Sequence, residues 1–141
     1  MSKMGGDAYT LAPLSARSVG GNSAELALTG WRRAVLVLNV TASATDAGDT
    51  LDVYVDVSPD GGTTWVNAVH FAQQAGNGAA KKEIAVLDTS NPGADTVVVT
   101  SDAAAAKVRP AVFGDVLRAR WAIADADANA SHTFSVTGYI W

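Results

Sequence analysis

The chain has 141 residues, a length that suits one domain and leaves little for a second. Hydrophobic residues make up 48% and charged ones only 17%, so there is enough apolar side chain for one sound core and a surplus beyond it. The absence of cysteine excludes a disulfide framework, a thiolate metal site and a cysteine nucleophile. Net charge is −4 and basic residues stand singly or as the pairs Arg32-Arg33 and Lys81-Lys82, which argues against direct nucleic-acid binding.

The chain opens with MSKMGGDAYTLAPLSARSVGG, which has no clear periodicity and no apolar core of a signal peptide. Residues 1–22 are expected as an N-terminal arm, held in place by a neighbouring subunit if it is ordered, with the folded domain spanning 23–141. Weak strand character follows in SAELALT (Ser23 to Thr29). AVLVLNV (Ala34 to Val40) is apolar on both faces, as expected of a central strand or one covered on both sides.

The clearest signal is period two in LDVYVDV, with Leu51, Val53, Val55 and Val57 on one face and Asp52, Tyr54 and Asp56 on the other. TWVNAVHFA comes next after a tight turn and should place Trp65, Val69 and Phe71 on one face, making a hairpin of the two runs. EIAVL (Glu83 to Leu87) and DTVVVTS (Asp95 to Ser101) are weaker strand candidates. DAAAAKV (Asp102 to Val108) is the one stretch with helical character, two turns at most, with Asp102 as its N-cap. DVLRARWAIA alternates again, Leu117, Ala119, Trp121 and Ile123 inward against Arg118 and Arg120 outward. SHTFSVTGYIW closes the chain with Phe134, Val136 and Ile140 on one face and Tyr139 and Trp141 on the other. Short strands separated by polar and glycine-rich turns predict an all-β, single-domain antiparallel sandwich of jelly-roll-like form, with at most one short helix near 102–108. No run reaches the roughly 18 apolar residues of a membrane span, and no internal repeat is visible.

The turn SPDGGTTW (Ser58 to Trp65) is chemically specific. Pro59 presets the first corner, Asp60-Gly61 suits the next positions, and Gly61 or Gly62 can take positive φ without steric cost. The Ser58 hydroxyl and Asp60 carboxylate can accept from turn amides, Thr64 completes the set, and Trp65 can shield them. The stretch resembles the Asp-box of sialidases and related glycan-cleaving propellers. In those families the box is a structural turn away from the catalytic centre, and it recurs once per blade of about 40–45 residues. Here it occurs once, so the resemblance implies a turn and no active site.

Other chemistry-bearing residues do not assemble. DADAN (Asp125 to Asn129) resembles the opening of a calcium loop, but Ala130 stands where glycine is required and Val136 where the closing glutamate should be, which leaves a polar hairpin turn between the last two strands as the plain reading. DAGD (Asp46 to Asp49) is a similar acidic turn. His70 and His132 are isolated, without the spacing of a metal pair or a placed nucleophile. No Gly-x-Ser-x-Gly elbow appears, and the Gly76–Gly78 region lacks the lysine of a phosphate loop. The checklist of a catalytic site stays unfilled, so neither an enzyme nor a cofactor is expected. Arg118 and Arg120, two residues apart, share one strand face, as do Asp52 and Asp56, four residues apart on theirs. Cross-strand ion pairs are one reading and two solvated charged faces the slightly preferred one.

The runs TLDVYVDVSPDGGTTWVNAVHF (Thr50 to Phe71) and VLRARWAIADADANASHTFSVTGYIW (Val116 to Trp141) together resemble small structural proteins of tailed bacteriophages, of the sort found among head genes. The resemblance implies a non-enzymatic virion protein that decorates and stabilises a capsid. Such a protein is made in the bacterial cytoplasm and is commonly a trimer, with the major capsid protein and its own copies as partners, and no nucleic acid or membrane. A tail or head–tail component is the alternative within that family. A carbohydrate-binding module is an alternative of another class and needs three exposed aromatics in a line. Tyr54, Tyr139, Trp141, Arg118 and Arg120 are the candidate interface residues.

Overall fold

A computed structural model describes residues 6–28, 30–90, 96–109, 112, 114–125 and 130–141. Ten strands follow in chain order: β1 (Asp7–Arg17), β2 (Gly21–Asn22), β3 (Leu26–Ala27), β4 (Arg33–Ala42), β5 (Thr50–Ser58), β6 (Val66–His70), β7 (Lys81–Asp88), β8 (Lys107–Val108), β9 (Val116–Ala124) and β10 (His132–Ile140). They make two antiparallel sheets. One has the order β1-β10-β4-β7, and the other β2-β9-β5-β6-β8 with β3 also on β9. Counting β2 and β3 as one interrupted strand and β8 as an addition, this is the strand order of a jelly roll, as the alternation of short strands predicts.

Period-two patterning decides which side of each strand meets the core. Ala34, Leu36, Leu38 and Val40 of β4 and Phe134, Val136 and Ile140 of β10 face Leu51, Val53, Val55 and Val57 of β5 and Leu117 and Ala119 of β9. All of these are buried. Trp121 meets Phe134 edge-on at 5.7 Å between ring centroids, joining the two sheets.

Four expectations are corrected. The segment 1–22 is not an arm in its described part. β1 pairs with β10 from Asp7↔Ile140 to Arg17↔His132, places Leu11 and Ala12 in the core, and passes to β2 on the other sheet. Its period is masked by two register shifts, between Thr10 and Ala12 and between Ala12 and Ser15, which break the alternation that a sequence reading depends on. The segment 102–108 is not helical: a turn with Ala106 at φ 61° leads into β8. Its backbone is taken by β6, the Ala103 amide donating to Asn67 Oδ1 at 2.8 Å. Residues 97–99 of the valine run are exposed and outside any strand, because β-propensity without a neighbouring strand supplies no ladder. β9 and β10 lie in different sheets, so the connection holding DADAN is a crossover and not a hairpin turn. Residues 126–129 lie outside the described residues.

Candidate functional site

The Asp-box-like turn has the predicted chemistry. It connects β5 to β6, with Gly61 at φ 72° and Gly62 at φ 100°. The Ser58 hydroxyl donates to Asp60 Oδ1 at 2.7 Å and accepts from the Gly62 amide at 2.8 Å. The Thr64 amide donates to Asp60 Oδ1 at 2.8 Å, and its hydroxyl to Oδ2 at 2.7 Å. These bonds, the Thr64 amide first, hold the Asp60 carboxyl down at about 2. Every partner of Ser58 and Asp60 among these bonds lies within the turn itself, so the motif fixes a corner.

Trp65 departs from its expected face. The β5–β6 register shifts between Val55↔Val69 and Asp56↔Asn67, a bulge that puts Ala68 out of step. Val69 and Phe71 go to the core, while Trp65 lies on the outer side against the Arg118 guanidinium, 4.1 Å from the ring centroid.

That contact begins a ladder across the outer face of the second sheet. Asp56, opposite Arg118, is buried although it points away from the core. Arg120 Nε donates to Asp56 Oδ2 at 2.8 Å, and Arg118 Nη2 lies at 3.5 Å from the same oxygen. Arg120 also reaches Asp102 at 2.7 Å and stacks over Tyr54 at 4.0 Å. Burial pulls the Arg120 guanidinium down, but its bonds to Asp56 and Asp102 outweigh that and hold it above its ordinary value. Tyr54 stacks on His70 at 4.2 Å. His70 sits between Asp52 Oδ1 at 2.8 Å and the Ala103 carbonyl at 2.7 Å, which fixes the orientation of its ring. The charged faces are therefore not merely solvated, as preferred from sequence: Asp56 is ion-paired with both arginines, and Asp52 lies within hydrogen-bond distance of His70.

The five candidate interface residues divide between opposite sides of the sandwich. Tyr54, Arg118 and Arg120 belong to the ladder. Tyr139 and Trp141 lie on the outer face of the first sheet with ring centroids 5.5 Å apart. There the register builds two rows across four strands: Ala8, Tyr139, Val35 and Val86, then Thr10, Thr137, Val37 and Ile84. Ile84 is 66% exposed, Val86 49% and Tyr139 41%. No described element covers these rows. Val35, Val37, Ile84 and Val86 were missed as site residues, although AVLVLNV and EIAVL carried the signal: apolar residues on the phase opposite to the core.

Among the described residues no group of three or more His, Asp and Glu side chains is placed to hold a metal ion. His132 is buried, its imidazole pushed down by burial and pulled back in part by nearby Asp49, and it accepts from the Ala44 amide at 3.5 Å. Neither histidine has a hydroxyl among these partners that it could activate as a nucleophile. Arg17 was also missed. It donates to the Phe134 carbonyl at 2.7 Å and lies over Phe134 and Trp121 at 4.5 and 4.8 Å, the two rings that meet between the sheets. No family model matches the chain, and no curated protein matches it.

Proposed function

We propose that this chain is a non-enzymatic structural protein of a tailed-phage virion that seats on the capsid and stabilises it. The observation that carries the reading is the apolar outer face of the β1-β10-β4-β7 sheet, with Tyr139, Val35, Val37, Ile84 and Val86. Apolar surface of this kind is what a binding interface removes from water. The jelly-roll order is in keeping with the reading, since viral capsid domains often have it, and so is the resemblance of the strand and turn pattern from Thr50 to Phe71 and from Val116 to Trp141. Many copies, each covering apolar surface on the shell, favour the assembled state by mass action.

Lectin domains share the jelly-roll architecture, but the carbohydrate-binding reading loses its sequence support. Tyr54 lies on the sheet opposite to Tyr139 and Trp141, so the three aromatics form no row for sugar stacking.

The test is co-sedimentation of the purified protein with undecorated heads and, separately, with tails of the phage that encodes it. Binding to heads is expected. Binding to tails alone moves the protein to the tail or head–tail station, and binding to neither overturns the virion reading.

A further inference from the structure

The four lateral edges of the sandwich differ. In the first sheet, β1 forms one edge and is broken by two register shifts and by Pro13, devices that blunt strand addition. In the second sheet, the edges are β2 and β8, of two residues each. β7 is the exception. It runs eight residues in unbroken register with β4, from Lys81↔Val40 to Asp88↔Arg33. Among the described residues no backbone hydrogen bond reaches its other side. Its outward residues are Lys82, Ile84, Val86 and Asp88.

We infer that β7 is a self-association edge, pairing antiparallel with β7 of a second copy about a two-fold axis through Ala85. The register follows from face and charge. A two-fold pairing that keeps both apolar faces on one side must match even-numbered residues with even-numbered ones, because one residue of slip turns each side chain to the other face. Among such registers, the one centred on Ala85 sets Lys82 opposite the partner's Asp88 at both ends, with Ile84 opposite the partner's Val86 between them. Centring on Ile84 sets Lys82 against Val86, and centring on Val86 sets Ile84 against Asp88. Opposite charges and aliphatic pairs directly across an antiparallel ladder stabilise it, whereas a charge facing an aliphatic chain does not. Asp88 is free to take the lysine: it already accepts from Arg33 at 3.1 Å and from Ser90, yet its side chain stays one-third exposed.

The product is an eight-stranded sheet of order β1-β10-β4-β7-β7-β4-β10-β1. Its two sets of Val35, Val37, Ile84 and Val86 merge into one apolar surface. This isologous geometry differs from the threefold grouping implied by the phage resemblance, and it does not depend on the virion reading.

Sedimentation equilibrium of the full chain tests it directly, with a dimer expected. A monomer at every concentration up to the millimolar range, or a trimer, overturns it. Lys82→Glu should weaken the dimer about tenfold by setting like charges opposite each other at both ends, and Lys82→Glu with Asp88→Lys should restore it. The register is read by cross-linking, since the chain has no cysteine of its own. An equimolar mixture of Ile84→Cys and Val86→Cys copies should oxidise mainly to the mixed dimer. A dimer that ignores Lys82→Glu and cross-links no better in the mixture than in either variant alone overturns the β7 pairing. Circular dichroism of each variant shows that it is folded.

Discussion

Asp60 works through geometry and not through burial. Its carboxylate accepts from both donors of Thr64 and from Ser58, which lowers its pKa from 3.8 to about 2. A carboxyl depressed in the folded state contributes stability that is fully present above its unfolded pKa and is lost as pH falls through the folded one. The turn should therefore weaken between about pH 4 and pH 2, and Asp60→Asn should remove that part of the pH dependence in urea titrations. Asp56 is a different case. Its side chain is 3% exposed and serves two arginines, and the Asn67 amide donates to it at 3.1 Å. Asp56→Ala leaves two guanidinium groups facing an empty site, and chemical denaturation should show a loss of about 3–5 kcal/mol.

Among the elements, β1 tests how far residues 6–22 belong to the domain. A dispensable arm could be cut without effect. In this fold β1 covers one edge of β10, and its Leu11 and Ala12 complete the core. A fragment 18–141 should lose cooperative thermal unfolding, because removing β1 uncovers β10 along its length. An unchanged melting curve would return the segment to the status of an arm. β6 shows how one residue redirects an element. The bulge at Ala68 sends Val69 and Phe71 inward while Trp65 and the buried Asn67 turn to the ladder side, so this stretch serves both the core and the arginine ladder.

On the scale of the whole molecule, the two outer faces have opposite characters. One is covered by its own ion pairs and stacked rings, from Trp65 to His70. The other presents Val35, Val37, Ile84, Val86 and Tyr139 without a cover among the described residues. Val37 is half-buried in a strand paired on both sides, so Val37→Asp should cost about 1 kcal/mol and leave the chain folded. It should nevertheless abolish co-sedimentation with heads if this face is the docking surface. Retained binding would place the contact elsewhere, with the arginine ladder next in line.

Read alone, the sequence carried the all-β class, the core phase of β5, β9 and β10, and the hydrogen bonding of the Ser58 to Thr64 corner, whereas β4, apolar on both faces, took its phase from the fold. Alternation and turn chemistry are local, and a few consecutive residues carry them. The tertiary structure decided the rest. It made β1 a strand and the alanine run after Asp102 a turn, gave Asp56 to both arginines, and set Tyr54 on the side opposite to Tyr139 and Trp141. Each of these depends on which strands become neighbours. A ladder, a bulge and a cross-strand ion pair all need a partner far along the chain, such as Asp56 and Arg120, and no local pattern names that partner.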